Sequence, residues 1–151
     1  MLRDQLSEAL KNAMRAQEKR RTTTLRLILA AIKDRDIAGR ENGSRDLVGD
    51  EEILQLLQKM VRQRRESIET FEQGGRLELA EQEREEIAII EDFLPKQMSE
   101  AEIVAAVDAV VADLGAAGVK DMGRVMATLR ERYPGTMDFG KASAAAKQRL
   151  S

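Results

Sequence analysis

Between residues 120 and 149 the chain carries seven basic side chains, Lys120, Arg124, Arg130, Arg132, Lys141, Lys147 and Arg149, against three acidic ones. Spaced cations of this kind neutralise a phosphate backbone and release its counterions. Lys120 precedes an expected helix start, where backbone N–H groups and the helix dipole favour an anion. Gly123, just inside that helix, has no Cβ and so admits a ligand or a second helix at close range. A second basic row, Lys19, Arg26, Lys33 and Arg40, recurs every seven residues and runs along one side of a helix. Arg26 and Lys33 are its central members. The row suits phosphate contact, or else is a solvated helix edge paired in part with Asp34, Asp36 or the acidic fourth helix.

The acidic side chains concentrate elsewhere. Glu78, Glu81, Glu83, Glu85, Glu86, Glu91 and Asp92 could in principle ligate Mg²⁺ or mimic a nucleic acid. Their spread over several helix faces points instead to a solvated helix or to internal pairing. Lys59, Arg62 and Arg65 are likewise distributed around their helix, while Arg64 sits inside an apolar stripe, where it should pair with a carboxylate of the following helix. The chain has no cysteine and no histidine. That excludes disulfides, thiolate zinc sites and cysteine nucleophiles, together with the commonest general base. The segment Gly115–Lys120 lacks the spacing of a phosphate-binding loop. No catalytic residue, cofactor or metal site is expected.

The net charge of −2 conceals a polarised distribution. Residues 1–40 hold ten basic and five acidic side chains, whereas residues 76–95 hold two and seven. No apolar run approaches the roughly 20 residues needed to span a bilayer, and the N-terminus lacks a signal-peptide core. A soluble cytoplasmic protein without a membrane partner is the expectation.

The elements that must position these residues are helices. Charged residues make up 34% of the chain and aromatics only 3%, with apolar residues at three- and four-residue steps. An all-α fold of seven helices follows. The first covers 2–16. The second, capped by one of Thr22, Thr23 or Thr24, reaches about Ala38 and stops at Gly39. A polar loop marked by Gly43, Ser44 and Gly49 leads to a third helix capped by Asp50 and running to Phe71. Gly74-Gly75 turns the chain into a fourth, 77–92, making a long antiparallel hairpin. Pro95 then ends the helical run, and Ser99 with Glu102 forms an S-x-x-E capping box for a fifth helix, 99–114. That helix is expected to face Ile103, Val104, Val107, Val111 and Leu114 inward. Asp121 and Asp138 should cap the sixth and seventh. The chain therefore divides into a charged N-terminal domain, 1–95, and a compact three-helix C-terminal domain, 96–151.

Several stretches resemble the GatB/YqeY family. They are Leu25-Arg26-Leu27-Ile28 with Ala30-Ala31-Ile32-Lys33, Gln63-Arg64-Arg65-Glu66-Ser67-Ile68 on to Phe71, Glu91 to Glu102 around Phe93-Leu94-Pro95, and Asp121-Met122-Gly123-Arg124-Val125-Met126. Their order and spacing cover nearly the whole chain. The resemblance implies a helical module similar to the C-terminal region of GatB, a tRNA-dependent amidotransferase subunit whose tail contacts tRNA. It also implies the family's association with carbon–nitrogen ligase activity that uses glutamine as amide donor, a label inherited from the larger enzyme. Many relatives carry a Lys-Gly-Lys-type turn before the last helix. Here the turn reads Pro134-Gly135-Thr136-Met137-Asp138-Phe139-Gly140-Lys141 and keeps one cation.

The functional expectation is an RNA-binding module, with tRNA as the partner and no catalytic body. Its candidate contacts are Lys120, Gly123, Arg124, Arg130, Arg132, Lys141 and Lys147, with Arg26 and Lys33 on the second helix. The alternative is a protein–protein adaptor that docks on an amidotransferase or an aminoacyl-tRNA synthetase through its acidic hairpin. The oligomeric state stays open.

Overall fold

α1 (Leu2–Arg15) and α2 (Lys19–Glu41) are joined by a turn in which Gln17 adopts a positive φ of 57°. The N–H of Glu18 reaches back to the Ala13 carbonyl at 3.0 Å. This turn starts α2 at Lys19, three residues before the threonines expected to cap it. Thr22 through Thr24 therefore ride inside the helix, and Thr24 is fully buried with its hydroxyl unpaired. The structure is a computed structural model that describes residues 1–43 and 46–151. Within these residues it is all-α, as expected.

Two further boundaries differ from expectation. α2 runs through Gly39 to Glu41, since one glycine costs a helix only about 1 kcal/mol and tertiary contacts hold its last turns. α3 (Asp50–Gln73) has Gly49 at its N-cap position. The Asp50 carboxylate instead accepts from the Leu2 N–H at 3.2 Å and lies 3.6 Å from the terminal amine. Of the expected loop markers, Ser44 lies outside the described residues. α4 (Leu77–Glu91) returns against α3 through Gly74-Gly75, where Gly75 takes a φ of 72°.

These four helices form one compact unit, Met1–Leu94, around Leu6, Leu25, Ile28, Ile32, Ile53, Leu57 and Ile90. A charged pair is carried into it. Arg3 grips both oxygens of Asp36 at 3.0 Å, and the Val48 N–H donates to the same carboxylate at 3.0 Å. The Arg3 guanidinium chiefly, and the Val48 amide, hold the Asp36 carboxyl below its usual range although burial opposes this.

The second unit, Pro95–Ser151, contains α5 (Glu100–Leu114), a short 3₁₀ turn (Val119–Asp121), α6 (Met122–Arg132) and α7 (Phe139–Leu150). The capping box is present: Ser99 Oγ accepts from the Glu102 N–H at 3.1 Å, and Glu102 accepts from the Ser99 N–H at 2.9 Å. Gly115 closes α5 in the left-handed conformation. Ile103, Ala106, Val107, Val110 and Val111 pack against α6 and α7, but Val104 stays half exposed. α5 is apolar on more than one side, so periodicity alone did not separate Val104 from its buried neighbours. Asp138 caps α7 by accepting from the N–H groups of Gly140 and Lys141.

Candidate nucleic-acid interface

All seven basic side chains between 120 and 149 are exposed, so none is committed to the interior. Their immediate partners differ. Arg124 lies 3.0 Å from Asp121, one helical turn back. Arg132 on α6 pairs with Asp113 of α5 at 2.9 Å. Lys141 and Arg149 on α7 pair with Glu100 and Asp108, each at 3.4 Å. Arg130 lies over the Phe139 ring, 5.6 Å from its centroid. Lys120 and Lys147 have no carboxylate in ion-pair range among the described residues. Arg132, Lys141 and Arg149 are thus laced to α5 by surface pairs, each worth about 0–1 kcal/mol and open to exchange for another anion.

The start of α6 is not an open ring of amides. The 3₁₀ turn leads straight into it, with the Met122 N–H donating to the Val119 carbonyl. Asp121 occupies the N-cap position, yet its side chain caps no α6 amide. It accepts from the Ala117 N–H at 3.0 Å, and this bond first, with Arg124, keeps its carboxyl below the usual range. Lys120 sits exposed in the turn. Gly123 is exposed as well, and a Cβ built there would meet nothing within 4 Å. Tight helix packing therefore does not account for the glycine.

The turn before α7 is used for packing. Met137 is fully buried. Gly135, at a φ of 77° that a side chain would strain, offers its carbonyl to Gln97 Nε2 at 2.7 Å. The Thr136 carbonyl accepts from the Met98 N–H at 2.9 Å. Met137 gave no helical signal in the sequence, because it lies between two helices and belongs to neither stripe.

In the first unit, Arg26 and Lys33 are exposed on α2, with Arg26 3.9 Å from the Met14 sulfur. Asp36, weighed above as a surface partner for this row, is instead claimed by Arg3. Several carboxylates of the acidic hairpin are paired within the first unit. Arg64 donates to Glu86 at 2.9 Å and lies 3.9 Å from Glu83, so the expected α3–α4 pair forms. Arg20 reaches Glu85 at 3.2 Å, Arg76 reaches Glu78 at 3.3 Å, and Arg84 bridges Glu72 and Glu81. Burial first, then the neighbouring Glu86, pushes the Glu83 carboxyl above its ordinary range. Among the described residues, no cluster of three acidic side chains is placed to hold a metal, and no helix is long and apolar enough to cross a membrane.

The geometry defines an all-helical protein of two compact units, with the basic side chains of the second one exposed. The family model described as "Yqey-like protein" matches residues 3–150, and the chain belongs to that family. Similar proteins include "Altered inheritance of mitochondria protein 41, mitochondrial" from Lachancea thermotolerans, 39% identical over 72% of this chain and 57% of the relative. The protein of the same name from Eremothecium gossypii is 37% identical over 72% and 58%. An uncharacterized protein of Schizosaccharomyces pombe is 29% identical over 62% and 72%. The chain therefore spans a little under three fifths of the length of the first two relatives.

Proposed function

We propose that the protein is a non-catalytic RNA-binding module that takes tRNA through the surface of α6 and α7. The observation that supports this most is the exposure of every basic side chain from Lys120 to Arg149, including Lys120 and Lys147 without carboxylate partners. Arg124, Arg132 and Lys141 can exchange a weak surface carboxylate for phosphate, and Arg130 beside Phe139 offers a flat cationic surface. Selectivity would come from the shape of the RNA rather than from base edges. The resemblance to the tRNA-contacting region of GatB points the same way. We read the compartment as cytoplasmic or, following the names of the relatives, mitochondrial; both contain tRNA.

The adaptor reading through the acidic hairpin has less support, because Glu72, Glu78, Glu81, Glu85 and Glu86 each already face an arginine of their own unit. Salt titration of tRNA binding by the full chain tests the RNA reading. Affinity should fall steeply with salt, and Lys120→Glu/Arg130→Glu should weaken binding and flatten the slope by roughly one unit per cation removed. Absence of binding at low salt, or an unchanged slope in the variant, would sink the proposal. Amide formation from glutamine and ATP by the purified chain would overturn its non-catalytic half.

A further inference from the structure

α2 has an apolar inner face and a mixed outer face that exposes large apolar side chains. The inner one carries Leu25, Ile28 and Ile32 into the core. The outer one places Thr23, Leu27, Ala30, Asp34 and Ile37 at alternating steps of four and three residues, and all five are exposed. That is the spacing by which one helix seats against another. Leu27 keeps 46% of its surface exposed and Ile37 43%. Met14 of α1, 50% exposed, adds a third large side chain beside the seam through its contact with Arg26. Single exposed leucines are ordinary on a protein surface, but these share one line.

Charge says what covers it. Lys19, Arg26 and Lys33 recur at the heptad interval along one edge of this seam, all exposed. Lys19 and Lys33 have no carboxylate in ion-pair range among the described residues. In helix pairs, such flanking positions select the partner by opposite charge. Ala30 at the centre lets a second backbone approach closely, and Asp34 within the seam demands a polar or basic residue opposite it, which sets register.

We propose that this face of α2 docks an amphipathic helix of another protein, apolar along its seam except for a polar or basic residue opposite Asp34, and carrying Glu or Asp on the edge that meets Arg26 and Lys33. A phosphate backbone would satisfy the cations but leave Leu27 and Ile37 in water. A second copy lying antiparallel about Ala30 would bring the same positive row against itself.

The test is selection from a displayed library of heptad-patterned helices, about three heptads long to match the seam. The flanking positions are randomised between Glu and Lys. The full chain is the bait, and Leu27→Ser/Ile37→Ser, with helicity checked by circular dichroism, is the control. Enrichment of Glu-flanked helices that lose at least tenfold in affinity for the control supports the proposal. So does a switch to Lys-flanked helices with Arg26→Glu/Lys33→Glu bait. No enrichment, equal enrichment of both charge types, or equal binding to the control overturns it. Self-association of the chain that Leu27→Ser/Ile37→Ser abolishes would assign the face to a second copy instead. Binding to vesicles of equimolar phosphatidylcholine and phosphatidylglycerol that the same change abolishes would assign it to a membrane surface.

Discussion

The unit of residues 1–94 buries a carboxylate, Asp36, whereas no charged side chain of the unit of residues 95–151 is fully buried. Asp36 and Thr24, the buried polar residues among those described, both belong to the first unit, and Arg64 with Glu86 lies nearly buried between its third and fourth helices. The interior of the second unit is apolar throughout, built from small residues such as Ala106, Val110, Ala142 and Ala146 around Leu129 and Met137. Its geometry is set by local devices, the Ser99–Glu102 box, the Gly115 terminator and the Asp138 cap. A buried pair is satisfied in one arrangement only, so it specifies which helices meet at some cost in desolvation. An apolar core with strong caps leaves surface cations free to serve a ligand. The contrast separates a part specified by long-range polar pairing from a part specified turn by turn.

The largest break in that contrast comes from Arg64→Ala. It strands Glu86 and Glu83 in a poorly hydrated place and should cost about 2–3 kcal/mol. Amide hydrogen exchange should show the loss in α1–α4 and none in α5–α7. Arg64→Met with Glu86→Leu should recover most of it. Equal losses in the single and double variants would mean that packing, not pairing, is what Arg64 supplies.

Asp36→Asn removes the charge and one of the two acceptor oxygens of the group that ties α1, α2 and the approach to α3 together, and should cost about 2 kcal/mol at neutral pH. Asp36 is held below its ordinary value of 3.8, so its contribution is complete above that value and is lost as pH falls through the lower folded one. Wild type and variant should therefore converge in acid denaturation below that pH. Glu83 has the opposite sign. Its folded carboxyl is raised above 4.5, so its ionisation opposes folding as pH rises through that interval. A gap between wild type and Asp36→Asn that persists in acid would show that Asp36 acts other than by charge.

Ser99→Ala should cost roughly 1 kcal/mol, confined to the second unit and seen as faster exchange of the first α5 amides. Thr24→Val should have the smallest effect and the opposite direction. It replaces a buried, unpaired hydroxyl by a methyl of the same shape and should stabilise the first unit by up to about 1 kcal/mol. Destabilisation, read from urea unfolding, would mean that the hydroxyl has a partner after all.

How much was legible in the sequence follows from the range of the interactions. The capping box was readable because both partners lie within one turn. Arg64 was readable as a residue in need of a carboxylate, since a guanidinium in an apolar stripe must find one, but not that Glu86 rather than Glu83 is nearer. Asp36 was misplaced on the solvated edge because its partners lie 33 and 12 residues away. Met137 was missed, and Val104 turned inward, because neither lies where helical periodicity discriminates. The candidate cations were proposed from composition and spacing. Their pairing to Asp113, Glu100 and Asp108 was not, because it depends on how α5, α6 and α7 pack.

By itself the sequence determined the helical class, nearly every helix, the turns at Gly75, Gly115 and Gly135, and the polarity of the surface. Periodicity, caps and glycine conformations act over a few residues and need no partner. Tertiary structure alone decided that α2 begins before its threonines and outlasts Gly39, that Arg3 claims Asp36, and that Leu27 and Ile37 remain outside while Leu25 and Ile28 go in. Those outcomes turn on which of two similar faces finds a neighbour, and only packing between distant segments can choose.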